Sequence, residues 1–160
     1  MILIQRNLRL ACVLLDEAKV RVENSEDLST DVVNNIIRQI GCQEICGNKS
    51  GRASAGWIKK RNPRMTLEAK LILETKGYKE FNKLTMNEHQ WPVSSIWKHI
   101  IENYNNLTPE NLVNLILEYP VTTVTKEQNK SLSILGDDPI KRYENLNLTV
   151  VEYLPKDCNI

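Results

Sequence analysis

Between Val93 and Tyr104 the apolar residues fall at helical spacing: Val93, Ile96, Trp97, Ile100, Ile101 and Tyr104. This stripe dictates an amphipathic helix with one face in a core and the other in water. Pro92 opens it at the first position, where a missing N–H does no harm. A face this apolar needs partners, and the flanking sequence supplies them. Residues 5–21 carry Leu8, Ala11, Cys12, Leu15 and Ala18 at i, i+3, i+4 spacing, widened by Leu10 and Leu14, which predicts a buried helix. Thr30 can cap a second helix with the stripe Val33, Ile36, Ile37 and Ile40, closed by Gly41 at the C′ position. Thr108-Pro109-Glu110 starts a further helix through Glu118, with Leu112, Val113, Leu115 and Ile116 inward.

Strand signals are shorter. Leu84 to Trp91 alternates loosely, Val121–Thr125 is β-branched throughout, and Leu148 to Leu154 alternates near the end. Thr125-Lys-Glu-Gln128 matches a capping box, so a helix follows the second strand at once. Another helical pattern starts at Thr66, with Leu67, Leu71 and Ile72, and closes at Gly77. Asp138-Pro139 caps a short helix ending near Leu146. The expected fold class is α+β, a mainly helical single domain with two or three short strands. Its expected organisation over 160 residues is a helical part (1–41), a segment without periodicity (42–65) and a helical part with short strands (66–160).

Lys and Arg total 21 against 20 Asp and Glu, a net charge of +1, which excludes a strongly basic architectural protein and an acidic disordered tail. No apolar run approaches the roughly 18 residues that span a bilayer. The first residues do not read as a signal peptide, because Arg6 and Arg9 interrupt the apolar run and no small-residue cleavage site follows. A cytoplasmic protein is expected. Cys42 and Cys46 form one C-x3-C pair with no second half-site, so thiols are expected rather than structural zinc.

The near-neutral chain concentrates positive charge in one place. Lys49, Arg52, Lys59, Lys60, Arg61 and Arg64 occupy a stretch with no acid between Glu44 and Glu68, and Trp57 sits among them. Clustered cations neutralise phosphates, and an aromatic ring can stack on a base. These residues are therefore candidates for nucleic-acid binding, with an acidic protein surface as the other anionic partner they suit.

Of the two histidines, His99 lies in the amphipathic helix and is expected at the surface. His89 follows Glu88 at the end of a short extended run and precedes Gln90-Trp91-Pro92. Together with the strand Val121–Thr125 running into a capped helix that carries Asn129, this resembles the HNH, or ββα-metal, nuclease family. The resemblance covers Glu88-His89-x-x-Pro92 and Val121–Leu132 only, with a helical insertion between them. It implies a ββα-metal-like unit in which Glu88 and Asn129 hold Mg²⁺ or Mn²⁺ and His89 is the general base on water. Hard oxygen donors and a near-neutral imidazole suit that chemistry. The expectation is a metal-dependent endonuclease of bacterial defence, toxin or phage context. The alternative is a non-enzymatic binding or inhibitor protein that uses residues 49–64. Glu68-Ala-Lys70 and Glu74-Thr-Lys76 have the spacing of another nuclease motif but fall in helical pattern, as surface charges.

Overall fold

The computed structural model describes residues 5–46 and 55–153, with the side chains of 43–46 and 55–57 outside the description. In chain order the elements are α1 (Gln5–Glu23), α2 (Asn34–Cys46), α3 (Ala55–Arg61), β1 (Arg64–Thr66), α4 (Leu67–Leu84), β2 (Thr85–His89), α5 (Val93–Asn103), α6 (Pro109–Glu118), β3 (Val121–Thr125), α7 (Lys126–Leu132), α8 (Pro139–Asn145) and β4 (Val150–Glu152). This is a mainly helical α+β fold.

The amphipathic stripe of α5 lies at the centre of the largest core. Ile96, Trp97 and Ile100 pack with Ala11, Leu14 and Ala18 of α1, Ile37 and Ile40 of α2, and Leu112, Val113 and Ile116 of α6. The inward face of α1 runs through Asn7, Ala11, Leu14, Ala18 and Arg21, so Cys12 is exposed where the periodicity placed it inward. Arg21 closes this bundle at one end. It donates to Glu17 Oε1 at 2.7 Å and to the carbonyls of Asp27 and Ser29 at 3.0 and 2.9 Å, while Trp97 Nε1 donates to the Leu28 carbonyl at 2.9 Å. The α1–α2 connection is thus fastened by polar bonds to two core residues.

Beside the bundle lies a four-stranded mixed sheet in the order β2-β3-β1-β4. β2 pairs with β3 antiparallel over its full length, from Thr85 opposite Thr125 to His89 opposite Val121. β1 runs parallel to β3 and antiparallel to β4. Thr66 caps α4, receiving Ala69 N, and Thr125 and Gln128 form the capping box of α7. Gln128 also ties the two helix starts together: its Oε1 accepts from Thr66 Oγ1 at 2.8 Å and its Nε2 donates to Glu68 Oε2 at 2.8 Å.

Three expectations about local structure change. Gly41 does not end α2, which runs on to Cys46. Its role is clearance: a Cβ there would stand 3.0 Å from His89 Cε1 and 3.5 Å from Nδ1. The segment 42–65 is not all loop, because 55–61 is helical and 64–66 joins the sheet. Elements of seven and three residues are too short to show a hydrophobic period. Gly77 does stop regular helix, at φ +74°, but a second helical stretch resumes directly and brings Phe81 into contact with Met65 and Ala69.

The bundle core carries the stability. Ile100→Ala should lower the unfolding free energy by ~2–5 kcal/mol, whereas Ile134→Ala, at a side chain 84% exposed, should stay within ~0.5 kcal/mol. Urea denaturation of both variants checks this.

Candidate functional site

β2 carries both residues of the Glu-His element, and its pleat separates them. Successive strand side chains point to opposite faces. Glu88 faces α8, where Arg142 Nη2 stands 3.0 Å from its Oε1 and the Tyr143 hydroxyl donates to its Oε2 at 2.7 Å. His89 faces α2, against Gly41 and within the field of Arg38.

The Glu88 side is a closed structural cluster. Glu88 and Arg142 are 7% and 6% exposed. Arg142 also donates to the carbonyls of Gln90 at 2.8 Å, His89 at 3.4 Å and Leu132 at 3.2 Å, so one guanidinium joins α8, α7 and the end of β2. Burial pushes the Glu88 carboxyl up, against the opposing pull of Tyr143 and Arg142. Burial, and then the Glu88 carboxylate, push the Tyr143 hydroxyl up. Arg142 and Tyr143 are the buried partners of the one buried carboxylate among the described residues.

The expected metal set does not assemble. Both Glu88 oxygens are occupied by Arg142 and Tyr143, and His89 lies across the sheet from them. Asn129 is half-buried on α7, whose Leu132 packs with Tyr143 on the Glu88 side. These residues, as arranged, do not fit one Mg²⁺ or Mn²⁺ ion. Among the described residues no group of three or more His, Cys, Asp or Glu side chains is gathered to hold a metal.

The His89 side is open. A cavity of about 430 Å³ lies between α2, α3 and β2, bounded by the end of α4 and the start of α7. His89 lines it, with Arg38, Lys59 and Lys126 as cations, four side-chain amides (Asn35, Gln39, Asn82 and Asn87), and Cys42, Ile58 and Met86 as less polar wall. No carboxylate stands among these lining residues. His89 is 8% exposed. Burial, and then the Arg38 charge, lower its pKa to about 4, so the imidazole is neutral at physiological pH.

The basic segment divides. Lys59 turns into the cavity and donates to the carbonyls of Asn82 and Thr85 at 2.7 and 2.9 Å, satisfying groups that the end of α4 leaves open. Burial, then the Lys126 charge, lower its pKa. Lys60 lies over the Tyr78 ring at 5.5 Å. Arg61 is half-buried. Arg64 reaches across the sheet to Thr122 Oγ1 at 3.0 Å and Gln90 Oε1 at 3.2 Å. Trp57 lies in α3 with its side chain outside the description, and Lys49 and Arg52 lie outside the described residues. The single basic strip expected from the sequence is thus distributed over several contacts, and only Lys59 of its described members meets His89. Arg38, Gln39, Asn87 and Lys126 complete the cavity. They are scattered along the sequence from position 38 to position 126, and no local motif marks them. His99, expected at the surface, is half-buried and meets the Trp91 ring edge-on at 5.5 Å.

The chain matches no protein-family model, no curated protein and no solved structure. No helix among the described residues is long and apolar enough to cross a membrane.

Two measurements follow from this geometry. Arg142→Ala strands a buried carboxylate and should cost ~3–5 kcal/mol of stability, read by thermal or urea unfolding. His89 binds its proton at about pH 4 folded and near 6.5 unfolded. Between these values the unfolded state holds more protons, so stability rises with pH there and is lost as pH falls from 6.5 to 4. The loss from this group is ~3 kcal/mol over the window. Glu88, with its raised pKa, contributes the opposite sign. His89→Leu should therefore remove the acid-induced loss, and an unchanged pH profile would refute the assignment.

Proposed function

We propose that this chain is a non-enzymatic nucleic-acid-binding protein that holds the sugar–phosphate backbone at the cavity between α2, α3 and β2. One observation carries the reading: Arg38, Lys59 and Lys126 come together around the cavity with no carboxylate among its described lining residues. Cations brought together this way neutralise phosphates and release counterions, which is the dominant sequence-independent term in nucleic-acid affinity. The roles differ. Lys59 is committed to the carbonyls at the end of α4 and contributes a fixed field. Arg38 and Lys126 are exposed and can reach a ligand directly.

Hydrolysis by an HNH-type centre needs the acidic residue on the metal and the histidine beside it, facing the attacking water. The alternation along β2 separates Glu88 from His89, and Arg142 already neutralises Glu88. Binding without cleavage is the simpler use of these residues. An acidic protein face would meet the same cations, but it would not need a cavity.

The test is fluorescence anisotropy with a labelled mixed-sequence oligonucleotide across a salt series. Arg38→Glu with Lys126→Glu should weaken binding at least ~10-fold and flatten the slope of log K against log salt by ~1–2. The oligonucleotide should stay intact in Mg²⁺ and in Mn²⁺. Metal-dependent cleavage abolished by His89→Ala would overturn this reading in favour of the nuclease.

A further inference from the structure

The cavity is graded in charge. Its reachable cations, Arg38 and Lys126, are exposed, whereas its interior carries neutral polar groups: the His89 imidazole and the amides of Gln39 and Asn87. A ligand that was only a phosphate would meet cations at the rim and find nothing ionic to engage deeper, apart from an ammonium already bonded to two carbonyls. From these observations we propose that the cavity takes one unpaired nucleotide, with its base inside against His89 and Gln39 and its phosphate outside on Arg38 and Lys126. This rests on the nucleic-acid reading above and adds what part of the polymer is recognised.

The inner groups are suited to a base edge. His89 is more than nine-tenths buried and lines the cavity. Gln39 lines the same cavity, and its Oε1 is buried without a hydrogen-bond partner. Polar groups left unpaired in a protein interior carry a desolvation cost that a ligand of matching pattern relieves. A backbone phosphodiester is acceptor-only and cannot donate to a carbonyl oxygen. The Watson–Crick edge of a base presents N–H donors beside acceptors, as an amide and an imidazole require. Ile58 adds apolar wall for a face of the base. Gly41 belongs to the same design, since a methyl group there would crowd the imidazole. The volume, about 430 Å³, is in the range of small-ligand sites. A base still stacked and paired in a duplex cannot enter, so selection for unpaired nucleotides follows from shape.

The experiment compares three labelled ligands by anisotropy at one salt concentration: a short single strand, a blunt duplex of the same sequence, and a single strand of abasic sugar-phosphates. The single strand should bind at least ~10-fold tighter than the other two, the scale of base contacts in single-strand sites. A mixture of nucleoside monophosphates should compete with the strand, and inorganic phosphate should not. Gln39→Leu, which leaves the rim cations in place, should remove the preference for the single strand while keeping the residual affinity for duplex and abasic strand. Circular dichroism and melting of that variant establish that it is folded. Should it fail to fold, the wild-type comparison and the competition decide alone. Equal affinity for the three ligands would overturn the base assignment and leave the binding reading standing. Binding to none of them would overturn both.

Discussion

Arg142 is the group on which the arrangement of the sheet side depends. A single guanidinium neutralises Glu88, accepts no other charge, and donates to carbonyls at the ends of β2 and α7. Hydrogen bonding on this scale makes a buried ion pair tolerable where Coulomb attraction alone would not repay the loss of hydration. The Tyr143 hydroxyl then occupies the second carboxylate oxygen. With Glu88 satisfied on one face, β2 is fixed in register, and the pleat leaves His89 on the other face with no such partner. The polar accounting of one strand therefore differs on its two sides: complete towards α8, incomplete towards α2.

That difference is what separates a structural cluster from a candidate site. The same two adjacent residues were open to being one metal centre, and the two-residue period of a strand sends their side chains to opposite faces. β2 pairs residue by residue with β3 from end to end, so no bulge turns the two side chains to one face.

Much of the scaffold was legible in the sequence. The α5 stripe, the Thr125–Gln128 capping box and the Asp138 cap each appear in the structure as read, because each depends on spacing within a few residues. The turn at Gly77 was legible too, though not the helical stretch beyond it. Gly41 misled for a physical reason: a glycine needed for close approach looks in sequence like a glycine needed for a left-handed turn. The candidate site was hardly legible. His89 and Lys59 were singled out, but for an expected metal centre and an expected basic strip. Their actual neighbours Arg38 and Lys126 are contributed by two other helices, and their proximity is a property of tertiary packing alone. Arg142 was invisible for the same reason, being paired with a residue more than fifty positions away.

β4 closes the sheet on the side away from the cavity with three residues. Its Glu152 is exposed opposite Arg64, and the chain beyond bonds back through Tyr153 N to the Pro63 carbonyl at 2.7 Å. A border this brief and charged gives an incoming strand few free amides to zip against. The molecule thereby keeps a sheet while denying other chains a template for fibril growth along that margin.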